Sequence, residues 1–99
     1  MVYKVTILPV AQNDMLEIVD YVNILSKKAA LQLYDDIVAG IASLSEMPDR
    51  CPLLKPTELR LKGYRAFQVK KYTVFFVVLG NTVQIRRILY SKRQFESLL

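Results

Sequence analysis

The spacing of apolar residues changes along this chain, and each change marks a new element. From Val2 to Leu8 (VYKVTIL) the side chains alternate, which predicts a strand. Pro9 ends it and stands where a helix can begin. Ala11, Met15, Ile18, Val22 and Leu25 then recur at steps of four and three. That is one face of a helix, with Gln12, Asn13, Glu17, Asp20 and Asn23 largely outside it. Ser26 suits the N-cap of a second helix. Its apolar stripe is Ala30, Tyr34, Ile37, Ile41 and Leu44, widened by Leu33 and Val38. So short a joint predicts that the two helices fold back as a hairpin.

Met47 to Pro56 (MPDRCPLLKP) holds three of the four prolines and reads as a loop, because helix cannot pass through it. Three strands are predicted after it: Tyr64 to Lys70 behind Gly63, Tyr72 to Leu79, and Thr82 to Tyr90 behind a Gly80-Asn81 turn. Lys92 to Leu99 is basic, then apolar, and predicts one or two helical turns. The order β-α-α-β-β-β, with a short C-terminal helix, makes one α+β domain over residues 1–99. Its helical hairpin covers one face of an antiparallel-dominated sheet.

Strand Tyr72 to Leu79 carries Tyr72, Val74, Phe76 and Val78 on one face and Thr73, Phe75, Val77 and Leu79 on the other. Both faces are apolar, so both must be covered. The hairpin covers one. The tail or a partner covers the other, and the abundance of apolar residues favours a partner. On the last strand, strict alternation groups Arg87 with Val83, Ile85 and Leu89, and Arg86 with Gln84, Ile88 and Tyr90. At most one of these arginines then enters the helix-covered core. There it requires an Asp or Glu from a helix, since an unpaired buried charge is costly. On the open face it would instead join Tyr90, Lys92 and Arg93 and grip phosphate in fork geometry.

Charge sharpens this picture. The net +5 hides a first half with seven acids against three lysines, and a second half, from Arg50 on, with eleven Lys and Arg against Glu58 and Glu96. Such asymmetry points to an anionic partner, with nucleic acid leading. Basic side chains interleaved with aromatics suit RNA in particular. Lys62, Lys70, Lys71, Arg86 and Lys92 are the candidate RNA-binding residues. The chain is 53% hydrophobic, which is high for 99 residues. It holds no histidine and one cysteine, Cys51, so neither a zinc site nor an internal disulfide is expected. Cys51 reads as a small half-buried residue rather than a reactive thiol. No apolar run is long enough to span a bilayer, and Lys4 and Pro9 interrupt the N-terminal stretch. A cytoplasmic protein without membrane contact is expected.

Without histidine, RNA cleavage by attack of a 2′-hydroxyl on the neighbouring phosphate remains open. Tyr90 or a lysine would move protons, arginine would stabilise the developing oxyanion, and no metal or other cofactor is required. Arg65, Arg87, Tyr90 and Arg93 are the candidate catalytic residues. A basic patch without catalysis fits the same composition.

Taken together, the opening strand with PVAQNDMLEIVDYV, the helix end and loop IASLSEMPDRCPLL, and the segments LKGYRAFQVKKYTVFFVV and VQIRRILYSKRQFESLL resemble the RelE/ParE superfamily of toxins from type II toxin–antitoxin systems. The resemblance implies a growth-inhibiting toxin neutralised by a cognate antitoxin, which reaches operator DNA only through that antitoxin. It implies two targets. RelE-like members cleave mRNA on the ribosome, and ParE-like members poison DNA gyrase. Ribosome-dependent cleavage is the leading expectation and gyrase inhibition the alternative. A non-toxic RNA-binding module is a third reading. In RelE-like members an arginine follows an aromatic residue or histidine in the middle strand. Here Thr73 follows Tyr72, which leaves Arg65 on the neighbouring strand as a substitute. Lys92 and Arg93 match the family's terminal basic motif, and Tyr90 stands where many members carry histidine.

Overall fold

A single residue reverses the chain between its two long helices. A computed structural model describes residues 2–99. β1 (Lys4–Ile7) leads into α1 (Pro9–Leu25), and α2 (Lys27–Ser43) follows after Ser26 alone. The Ser26 N–H donates to the Val22 carbonyl at 2.9 Å and closes α1. Its hydroxyl accepts from the Ala29 N–H at 3.2 Å and opens α2. Both bonds satisfy helix-end groups that would otherwise lack partners. The far end of α2 is closed by Arg50, whose guanidinium donates to the Glu46 carbonyl at 2.6 Å and the Ser43 hydroxyl at 3.0 Å.

The remaining elements are a 3₁₀ turn at Pro48–Arg50, α3 (Thr57–Leu61), β2 (Arg65–Val69), β3 (Tyr72–Leu79) and β4 (Thr82–Tyr90). The sheet order is β1-β4-β3-β2. The last three strands form the expected antiparallel meander, and β1 joins β4 in parallel. The long connection that parallel pairing requires runs through the helical hairpin, α3, β2 and β3. The Gly80-Asn81 turn forms with Gly80 at φ +60, where glycine meets no Cβ penalty. Among the described residues, no helix is long and apolar enough to cross a membrane.

Several expectations need correction. α3 lies between the predicted loop and the meander, where the sequence pattern predicted no element. Its five residues follow Pro56 too closely for any apolar period to show. The tail, residues 91–99, forms hydrogen-bonded turns rather than a helix. In the helical stripes, Leu33 is a core residue, while Tyr34 and Val38 are each 42% exposed and Leu25 is 71% exposed. The stripe of α2 is therefore rotated toward Leu33, because the core lies under both helices rather than midway along one sequence face.

The largest correction concerns β4. Phe75 pairs with Arg87 and Phe76 with Ile85, so Arg86 has no opposite residue. This β-bulge advances the side-chain alternation by one position. Val83, Ile85 and Ile88 therefore enter the helix-covered core together, beside Val74 and Phe76. Leu89 falls on the other face with Phe75 and Val77. Neither arginine enters the helix-covered core.

That second face is closed by the chain itself. Leu59 and Tyr64 are buried on it, and Leu54, Phe95, Leu98 and Leu99 pack around them. The Phe95 ring lies 4.9 Å from that of Phe75. The expectation that a partner covers this face is overturned. Exposed apolar surface lies instead on the hairpin, at Leu16, Ile24, Leu31, Tyr34 and Val38.

Candidate functional site

Beyond Ile7 the chain turns into α1, so β4 continues past its neighbour with an open edge from Arg86 on. A strand edge needs partners for its outward N–H groups. Asp14 of α1 supplies one. Its carboxylate accepts from the Ile88 N–H at 3.0 Å and from Arg87 Nε and Nη2 at 2.7 and 2.9 Å. Asp14 is 7% exposed and fully occupied by these bonds. Arg87 also donates to the Leu98 carbonyl at 3.3 Å, tying the tail to the same point. The Asp14 hydrogen bonds hold the Arg87 guanidinium's protonation above its ordinary value, against the smaller opposing effect of burial. Asp14 escaped the sequence reading, although a signal was present. It lies three residues after Ala11 and four before Ile18, a carboxylate on an apolar helical face.

Next to this latch, α1 and the end of β4 bound an open cleft in two lobes. One lobe, of about 380 Å³, has Glu17 and Ile18 on one wall and Arg93 on the other. The second, of about 480 Å³, lies between the hairpin turn and the β2–β3 turn, and carries Lys70 and Lys71. Tyr21, Tyr72 and Tyr90 line both lobes. The rings of Tyr72 and Tyr90 meet edge to face, 5.9 Å between centroids and 68° between planes. Burial first, then the neighbouring Tyr90 and Tyr21 hydroxyls, push the Tyr72 phenol upward, so it stays a hydrogen-bond donor. Tyr21 was not read as a site residue.

The four candidate catalytic residues do not form one group. Arg65 donates to the Cys51 and Asp49 carbonyls and staples the proline loop to β2. Arg87 is held by Asp14. Tyr90 and Arg93 do share the first lobe. Of the candidate RNA-binding residues, Lys70 and Lys71 reach the second lobe, Lys70 also bridging Asp36 at 2.8 Å. Lys92 is exposed in the turn after β4. Lys62 pairs with Glu58 at 3.1 Å on α3. Arg86 donates to Gln84 at 2.6 Å and lies over the Tyr64 ring, 5.7 Å from its centroid. Thr73 sits in a neutral net, 2.9 Å from the Ser91 hydroxyl and donating to Gln68 at 3.2 Å. Cys51 is buried rather than half-buried, and burial pushes its thiol up, against the smaller effects of Arg50 and Arg65.

Comparison with known proteins places this geometry in context. The family described as the ParE toxin of the type II toxin–antitoxin system parDE matches residues 5–95. Among solved structures, a chain of the chromosomal ParDE toxin–antitoxin system from P. aeruginosa is similar at TM-score 0.75 and 24% identity, over 92% of this chain and 98% of that one. A chain of the RelBE2 toxin–antitoxin complex from Mycobacterium tuberculosis is similar at TM-score 0.63 and 19% identity, over 91% of this chain and 99% of that one. No curated protein matches the sequence. At these identities the two structures share the fold with this chain.

Proposed function

The chain belongs to the ParE toxin family of type II toxin–antitoxin systems, and from that premise we propose that it arrests growth by binding DNA gyrase rather than by cutting mRNA. The order of the two sequence expectations is thereby reversed. The observation that carries this reading is the dispersal of the candidate cleavage residues. Arg65 is engaged by backbone carbonyls and Arg87 by Asp14. Of the four candidates, Tyr90 and Arg93 alone stay together, so the set of base, acid and stabilising charge that the sequence suggested for cleavage is not assembled. The sheet face carrying Thr73 supports the same reading. It is apolar, covered by the tail, and its polar end is a neutral network. A protein that inhibits by occupancy needs surface rather than a catalytic group.

A cognate antitoxin would take the exposed hairpin. Leu16, Leu31, Tyr34 and Val38 offer apolar area that an amphipathic segment would bury. The test is controlled expression without antitoxin, mapping mRNA 5′ ends by primer extension beside a DNA-damage reporter, followed by a supercoiling assay with purified gyrase. Intact messages, an induced reporter and inhibited supercoiling are expected. Codon-phased cuts with a silent reporter would restore the ribosome-dependent nuclease.

A further inference from the structure

Cations stand at both ends of the tyrosine-lined cleft. Arg93 lies in one lobe and Lys71 in the other, with the rings of Tyr21, Tyr72 and Tyr90 between them. Tyr21 is 63% exposed and Tyr90 42%, so both present ring surface to solvent. Arg93 and Lys71 make no salt bridge among the described residues. Two acids line the cleft, and one of them, Asp14, is consumed by Arg87 and the Ile88 N–H. Glu17 alone opposes the cations.

We infer that this cleft binds single-stranded nucleic acid, with unstacked bases against the tyrosine rings and phosphates at Lys71 and Arg93. Aromatic rings flanked at both ends by positive charge suit a single strand, which exposes base faces and phosphates together. Each ring accepts any base, since every base has a π-face, so binding is tolerant of sequence. A duplex fits less well, because its bases are already stacked and offer edges instead of faces. An acidic peptide would use the cations but leave the three rings without planar partners. The inference does not rest on the gyrase reading, and the two are tested separately.

The test is fluorescence anisotropy of the full chain with labelled single-stranded DNA and RNA of about 12 nucleotides, and with duplex DNA of the same length. Single strands are expected to bind at least tenfold more tightly than duplex, and a preference between DNA and RNA would identify the strand's source. With two phosphates contacted, log K should fall with log salt at a slope of about −1.4. Tyr21→Ala and Arg93→Ala should each weaken binding roughly tenfold. Tyr21→Phe should bind like the parent, because stacking survives loss of the hydroxyl. Both alanine positions are exposed, and circular dichroism confirms that each variant folds. Absence of binding at low salt, equal binding of duplex, or binding indifferent to Tyr21→Ala and Arg93→Ala would overturn the inference. So would displacement by polyglutamate of matched charge as readily as by unlabelled oligonucleotide.

Discussion

Asp14 shows how much one side chain can organise. It joins α1 to the exposed edge of β4 and, through Arg87, to the tail. Removing it would strand the Arg87 charge and the Ile88 N–H together. Asp14→Ala should therefore lose about 2–3 kcal/mol in chemical denaturation, below the full value for a buried pair because Arg87 keeps some solvent. The double variant Asp14→Leu with Arg87→Met should lose less than the two single changes added together, since it removes both charges. Additive losses would show that the pair is not coupled. The need for such a partner was readable from the sequence, because an arginine near the core calls for a carboxylate. Which carboxylate was not, since Asp14 and Arg87 are 73 residues apart.

At the scale of elements, α2 and β2 meet without clearance. A Cβ on Gly40 would stand 2.8 Å from Phe67 Cε2 and 3.1 Å from Val69 Cγ2. Alanine there gains helix propensity of about 1 kcal/mol but forces the ring and the valine apart. We expect a net loss of about 1 kcal/mol, seen as a melting point lowered by roughly 4–8 °C. A higher melting point would mean that the ring moves freely. The β2–β3 turn is tied to α2 by Asp36. The Lys70 ammonium first, then the Gln32 amide, hold its carboxyl below the ordinary carboxylate value. A value depressed on folding adds stability above the unfolded pKa, and that stability is lost as pH falls below about 4. Asp36→Asn should flatten the stability profile there and leave the profile near neutrality with the same slope. The effect should be small, since the pair is exposed.

For the molecule as a whole, the charge asymmetry of the sequence becomes a division of surfaces. The acid-rich half forms the hairpin, and the basic half forms the sheet meander and one wall of the cleft. If the hairpin receives the antitoxin, Leu31→Glu with Val38→Glu should fold normally, because 58% and 42% of these side chains are already exposed. Co-purification with the antitoxin should fall at least tenfold, since apolar burial worth more than 1.4 kcal/mol is lost. Toxicity should then persist despite co-expressed antitoxin. Undiminished co-purification would place the partner on another surface.

Period and punctuation were local, and so they were legible. Steps of three and four gave the helices, alternation gave the strands, and Ser26, Pro9 and Gly80-Asn81 set their limits through bonds that span a few residues. Fold class and the basic character of the second half followed from these. The bulge at Arg86 was beyond strict alternation, although the three-residue step from Ile85 to Ile88 was its trace. A slip of one residue moves every later side chain to the other face, and it is settled by packing against β3 rather than by β4 itself. The tail's burial on Phe75, the Asp14–Arg87 pair and the cleft are likewise products of packing. Each joins residues far apart in the chain, where no local period links one position to its partner.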